Sequence, residues 1–261
     1  MLSPEQRRDA ARRLAEAERD RAPIEPLASL GLELDVVDAY EIQLLNIHRR
    51  VADGGTVRGH KVGLSSPAMQ RMMGVDEPDY GHLLDDMFVY ESGTVPVGAL
   101  CAPRVEVEVG FVLGSNLKGP GVTVADVIAA TRFVMPAIEI IDSRIADWRI
   151  GLTDTIADNA SSARVVLGAH ATAIEGLDLR LIGALLSRNG EVVESGASGA
   201  VLGNPAVAVA WLANKVASFG VTLEAGHVIL PGSCTRAVDV AAGDVVMAEF
   251  DRLGSVTVGF A

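Results

Sequence analysis

The sequence predicts an α+β chain in which a helical N-terminal region precedes a strongly β remainder. Three observations carry this. Two well-capped helical stretches fill most of the first 52 residues. Valines alternate with glutamates along Arg104-Val105-Glu106-Val107-Glu108-Val109, the period-two signature of a strand. From Arg164 onward, short β-forming runs recur between turn residues, with one helix among them.

The first helix is predicted over residues 3–20. Ser3 is the N-cap, Pro4 fits the first helical position, and Gln6 completes a capping box. Its body is polar around most of its circumference, so a peripheral position is expected. The second helix runs from Asp35 to Ala52, with Val36, Val37, Tyr40, Ile42, Leu44, Leu45, Ile47 and Val51 as a broad apolar face. Gly54-Gly55 stops it. His48, Arg49 and Arg50 suit its C-terminal dipole.

A short strand over residues 57–66 carries Lys61 among apolar and glycine neighbours. Such a lysine either snorkels to solvent or projects into a cleft. Pro67 to Met73 forms a helical turn with a methionine-rich face, and residues 76–83 read as a turn-rich acidic loop. The Val-Glu strand follows, then a loop over Asn116–Gly121 and a helix over Thr123–Thr131. The next strand carries Glu139 between apolar β-formers. The stretch Thr153–Ser162 is dense in Asp, Asn, Ser and Thr and reads as a long polar loop. Strands are predicted at Arg164–Gly168, Leu179–Arg188 and Glu191–Glu194, with Asn189-Gly190 as a tight turn. A helix starts at Asn204-Pro205 and ends at Gly220. Strands at 228–230, 237–240, 245–250 and up to Phe260 close the chain. Pro231-Gly232-Ser233-Cys234-Thr235 offers N–H groups and hydroxyls for an anion-binding nest.

The chain has 261 residues, 49% hydrophobic and 21% charged, enough for one large domain or a large domain with an appendage. A net charge of −12 argues against nucleic acid or an anionic membrane as partner. The two cysteines, Cys101 and Cys234, form neither a disulfide framework nor a zinc motif. The N-terminus lacks the apolar core of a signal peptide, and no apolar run reaches membrane-spanning length. A cytoplasmic location is the expectation.

Glu106 and Glu108 point to one face of their strand and the valines to the other. The alternation fits a half-exposed strand with its glutamates in water. On this fragment alone the solvated face is the commoner case, and an inward carboxylate pair is the alternative. Glu106, Glu108 and Glu139 meeting in one place would need a cation, and hard oxygen ligands select Mg²⁺, Mn²⁺ or Ca²⁺.

Seven fragments in order decide between these readings. They are Gly59–Gly63, Asp76–Gly81, Arg104–Glu108, Pro136–Glu139, Asp142-Ser143-Arg144, Ala157–Ser162 and Gly203-Asn204-Pro205. Together they resemble the 2-keto-4-pentenoate hydratase family of the fumarylacetoacetate hydrolase superfamily, over nearly the whole chain. The resemblance implies a mixed β-sandwich or roll with an N-terminal helical region at 1–56 and a metal-binding catalytic β-roll domain at 57–261. It implies Mg²⁺ or Mn²⁺ on Glu106, Glu108 and Glu139, with Lys61 and Asp79 as acid/base pair. A nearby cation would lower the Lys61 pKa. Ser161, Ser233 and Thr235 would hold substrate oxygens and Leu83 would line an apolar diene pocket. The implied reaction adds water to 2-hydroxypenta-2,4-dienoate or a substituted relative. The implied assembly is a homo-oligomer, with a downstream pathway aldolase or related enzyme as a further partner. Arg164, where a small residue is expected, and Cys234, inside the nest, depart from the pattern. His82 is expected at the surface.

Three alternatives compete. A 4-oxalocrotonate-type decarboxylase shares the metal site and needs a cation for a second carboxylate, from Arg144 or Arg164. A C–C hydrolase needs a His/Glu pair to activate water, and no pair stands out in the sequence for that role. A non-catalytic assembly subunit would have no reason to keep Lys61, Asp79 and three glutamates together.

Overall fold

The computed structural model describes all 261 residues apart from the side chains of Met72 and Met73. The N-terminal region forms α1 (Pro4–Asp20) and α2 (Val36–Ala52). The Ser3/Gln6 capping box closes α1, and the Asp35 carboxylate accepts from the Asp38 N–H at 2.8 Å to cap α2. One stripe of α1, Ala10, Ala11, Leu14 and Ala17, is buried, and the helix packs on α2. The broad apolar face expected of α2 does not hold as a unit. Val37, Leu45 and Val51 are exposed, while Asp38 and Gln43 are buried. Tyr40, Ile42 and Ile47 of that face are buried, and polar bonds orient the helix beside them. Asp38 accepts from the Leu2 N–H at 2.9 Å and pairs with Arg7, and Gln43 Nε2 donates to the Tyr80 and Ile156 carbonyls at 2.9 and 2.7 Å.

The rest of the chain runs β1 (Val57–Gly63), α3 (Pro67–Met73), β2 (Asp79–Leu84), β3 (Phe88–Val89), β4 (Thr94–Val95), β5 (Arg104–Leu113), α4 (Val124–Ala130), β6 (Thr131–Ile141), α5 (Leu152–Ala157), β7 (Ser162–Leu167), β8 (Gly183–Arg188), β9 (Glu191–Ala197), α6 (Pro205–Ala217), β10 (Val228–Leu230), β11 (Val238–Asp239), β12 (Val245–Phe250) and β13 (Gly254–Phe260). The larger sheet has the order β2-β1-β10-β5-β6-β7-β3, with β11 also paired to β5. The smaller has the order β4-β13-β12-β8-β9. Strands β12 and β13 lie against β6 and β7, so the smaller sheet covers one face of the larger.

The two faces of the larger sheet differ in chemistry. On one, Val105, Val107, Val109, Ile138 and Ile140 join Val246, Val256 and Val258 in the main core. The other carries the glutamates. Register fixes this, because directly paired residues share a face. Glu106 pairs with Glu139 and Glu108 with Ala137. Glu139 in turn pairs with Val165, and Lys61 with Leu230. Leu83, Ala137, Val165 and Leu230 form a second, smaller apolar cluster on that side.

Three expected loops or strands are revised. Residues 79–84 are not loop but a strand with all six residues buried, because β2 pairs with β1 from Gly63↔Asp79 to Gly59↔Leu83. Thr153–Ser162 is not a surface loop but α5 followed by a turn, with Asp154, Thr155, Asp158 and Ser161 buried. The strand expected from Leu179 begins only at Gly183. The methionine-rich face expected at 67–73 falls partly outside the described side chains; Met69 is exposed. The α4 cap (Thr123 with Asp126), the α6 cap (Asn204) and the Asn189-Gly190 turn between β8 and β9 are as expected. Among the described residues, no helix is long and apolar enough to cross a membrane.

His82 is not at the surface. It is buried on β2, next to His60 of β1 at 4.8 Å between ring centroids, with His227 5.7 Å from His60. Its Nδ1 lies 3.1 Å from Gln43 Oε1, and that amide oxygen accepts, so Nδ1 carries the proton. Burial lowers the His82 pKa to about 4 and pushes His60 and His227 down as well. Below an unfolded value of about 6.5, the unfolded chain therefore binds protons that the native one refuses, and stability falls with pH. For His82 alone the loss between pH 6.5 and 4 is on the order of 3 kcal/mol. Calorimetric melting across that window should show the decline, and His82→Gln should flatten it. An unchanged slope in the variant would refute the assignment.

Candidate metal centre

Glu106 and Glu108 come from β5 and Glu139 from the paired position on β6. One carboxylate oxygen from each lies within 4.8 Å of the others. Glu108 and Glu139 are fully buried, and Glu106 is partly exposed, which places the open side of the cluster at Glu106. Glu108 Oε2 accepts from the Gly232 N–H at 2.7 Å, but its Oε1 and both Glu139 oxygens have no hydrogen-bond partner among the described residues. Buried carboxylate oxygens without partners are costly. Burial pushes the Glu106 carboxyl up to about 7 against the pull of Lys61, and burial with the charges of Glu139 and Glu106 pushes Glu108 well above its usual range. Three crowded, desolvated oxygen donors fit a small hard dication, which would neutralise them and complete their bonding.

Lys61 projects into the same place. Its Nζ donates to the Ala160 carbonyl at 3.0 Å and lies 3.5 Å from Glu139 Oε2. Burial lowers the Lys61 pKa, but the charges of Glu139, Glu106, Asp79 and Glu108 outweigh it and raise the value overall. Asp79, buried on β2, sits over Gly63. A Cβ on Gly63 would fall 2.1 Å from Asp79 Oδ1 and 3.5 Å from Lys61 Nζ, so the glycine is what gives both groups room. Burial raises the Asp79 pKa, with Lys61 opposing.

The other expected substrate contacts are distributed unevenly. The Ser161 hydroxyl is buried without a hydrogen-bond partner among the described residues. Leu83 is fully buried in the apolar cluster on the glutamate side. The Ser233 hydroxyl accepts from the Val107 N–H at 3.2 Å, and the Thr235 hydroxyl donates to the Arg236 carbonyl at 3.2 Å. The expected nest is spent internally, since its Gly232 N–H serves Glu108 and its Cys234 N–H donates to the Val107 carbonyl. Cys234 is buried and Cys101 partly buried, and both are free.

Neither arginine considered for a second carboxylate faces the glutamates. Arg144 is buried and spent on Asp158. Arg164 pairs in register with Ile140, on the opposite face of the sheet from Glu139. Sequence reading had no signal for Arg104 beyond its position two residues before Glu106, hence on the same face. Its guanidinium lies 4.5 Å from the centre of the Trp148 ring and its Nε 2.7 Å from Asp239 Oδ1.

A curled mixed sheet that turns three glutamates, a lysine and an aspartate to one point defines a divalent-cation enzyme architecture. Residues 60–260 match the family described as fumarylacetoacetate (FAA) hydrolase C-terminal. The chain is 45% identical over 259 residues to a 2-keto-4-pentenoate hydratase of Paraburkholderia xenovorans, covering 99% of this chain and 96% of that one. It is 43% identical over 256 residues to a 2-oxo-hept-4-ene-1,7-dioate hydratase of Escherichia coli, covering 96% of each. Among solved structures, 4-oxalocrotonate decarboxylase from Pseudomonas putida G7, complexed with magnesium and adipate, superposes with a TM-score of 0.96 at 40% identity, covering 100% of this chain and 99% of that one. The chain belongs to the fumarylacetoacetate hydrolase family and, within it, to the 2-keto-4-pentenoate hydratase branch.

Proposed function

We propose that this chain is a divalent-cation-dependent hydro-lyase. It adds water to 2-hydroxypenta-2,4-dienoate or a substituted relative, giving a 4-hydroxy-2-oxo acid in meta-cleavage catabolism of aromatic or steroid-derived rings. The convergence of Lys61 and Asp79 on the glutamate triad carries this reading.

Glu106, Glu108 and Glu139 would hold Mg²⁺ or Mn²⁺, which when bound supplies Lewis-acid polarisation of the substrate's C2 oxygen. Lys61 and Asp79 then manage protons. The dienol O–H proton leaves and C5 gains one, giving the keto isomer. In the second stage the oxygen of water joins C4 and a proton goes to C3. Lys61 Nζ, already donating to a fixed carbonyl, would deliver a proton, and Asp79, its pKa raised by burial, would accept one. The unpartnered Ser161 hydroxyl is free to bond a substrate oxygen. Ser233 and Thr235 would exchange their backbone partners for substrate, and Leu83 with its cluster keeps bulk water from the diene. The exposed Leu185, Val192 and Val245 of the smaller sheet support a homo-oligomer, to which a downstream aldolase would be a further partner. The two free cysteines fit a cytoplasmic location.

A decarboxylase reading is favoured by one observation. Arg104, on the glutamate face and stacked on Trp148, can meet the distal carboxylate of a dicarboxylic substrate. Incubation with Mg²⁺ and enzymatically generated 2-hydroxypenta-2,4-dienoate should consume the dienol absorbance and yield a product heavier by one water. Release of CO₂ from 4-oxalocrotonate without dienoate hydration would make the decarboxylase the correct reading.

A further inference from the structure

Asn159, Ala160 and Ser161 have φ of +54, +49 and +54°. Three successive L-residues in the left-handed region are unfavourable, and only asparagine visits it readily. Such a turn persists when its surroundings over-determine it. Two side chains do so here. Arg144 grips both residues that flank the turn. Its N–H donates to the Asp158 carboxylate at 2.9 Å, its Nε to the same carboxylate, its Nη2 to the Asp158 carbonyl, and its Nη1 to the Ser162 carbonyl at 3.3 Å. Asn159 fastens the turn to β2. Its Oδ1 accepts from the His82 N–H at 2.7 Å and its Nδ2 donates to the His82 carbonyl at 2.9 Å. Gly81 permits this approach, since a Cβ there would lie 2.4 Å from the Asn159 carbonyl oxygen.

The clamped turn delivers one thing to the catalytic face. Its Ala160 carbonyl accepts from Lys61 Nζ at 3.0 Å, the one hydrogen bond described for that ammonium. We infer that Asn159 and Arg144 are positioning residues for Lys61. They hold a left-handed turn whose Ala160 carbonyl fixes the ammonium beside Glu139. This rests on the hydratase reading only for its kinetic consequence; the clamp itself can be tested on the metal-free protein.

Asn159→Gly keeps the left-handed backbone accessible and removes both bonds to His82. With Mg²⁺ bound, kcat should fall about tenfold to a hundredfold with KM within about twofold, as expected when a catalytic group is misplaced rather than substrate binding lost. Asn159→Asp, which retains the acceptor for the His82 N–H, should fall between. In the metal-free protein, acetic anhydride should acetylate Lys61 faster in Asn159→Gly than in the parent, followed by peptide mass. Unchanged kcat and unchanged Lys61 reactivity in Asn159→Gly would overturn the inference. If Asn159→Gly fails to fold, the Asn159→Asp comparison decides by the same two readouts. A parent protein that does not hydrate the dienoate would sink the hydratase reading, while Lys61 acetylation would still report on the clamp.

Discussion

Glu139→Gln should lower turnover about 10³-fold, equivalent to about 4 kcal/mol of transition-state stabilisation, and abolish the Mg²⁺-dependent rise in melting temperature. Glu139 is fully buried, and neither of its oxygens has a hydrogen-bond partner among the described residues. It is also the member of the triad nearest Lys61, at 3.5 Å. A glutamine of nearly the same shape keeps the packing and removes a charge. The metal-free variant should therefore melt no lower than the parent, because it relieves like-charge crowding with Glu106 and Glu108. That separates loss of the site from loss of the fold. A variant whose melting temperature still rises with Mg²⁺ would remove Glu139 from the ligand set.

Lys61→Met should produce the second large effect and the opposite pattern. Turnover should fall about 10²- to 10⁴-fold, the usual range for loss of a general acid or base. Cation binding should survive. Lys61 is the cation that touches the triad among the described residues, so its removal leaves buried carboxylates without a counter-charge. The metal-free variant should melt lower than the parent, and its gain in melting temperature on adding Mg²⁺ should exceed the parent's. Full activity in Lys61→Met would take the residue out of the mechanism.

The parts of this site that the sequence discloses are those encoded by short spacing. Glu106 and Glu108 share a face because two residues separate them, and the capping boxes at Ser3 and Thr123 are complete within four residues. What sequence conceals are contacts that only tertiary pairing creates. Asp79–Leu84 carries the polar punctuation of a loop, yet pairing with β1 makes it a strand and buries Asp79. His82 looks like any surface histidine until His60 and Gln43 close around it. Arg144 reads as a possible substrate cation. Its actual partner, Asp158, is 14 positions away in a stretch that reads as loop. The family resemblance supplied the inward orientation of the glutamates, which alternation alone left open.

The division of β5 into a valine face and a glutamate face also bears on how the chain avoids misfolding. A strand's register can slip by one residue, and in a uniformly apolar strand the slipped form is a near-competitor. Here a one-residue slip of β5 would turn Glu106 and Glu108 into the core packed against the smaller sheet, and would send Val105, Val107 and Val109 to the face that holds Lys61 and Asp79. Two unpaired carboxylates in an aliphatic core are severely unfavourable. The residues proposed to hold the cation thus make the wrong pairing untenable before any cation arrives. The proofreading of strand register and the chemistry of the site are written in the same alternation.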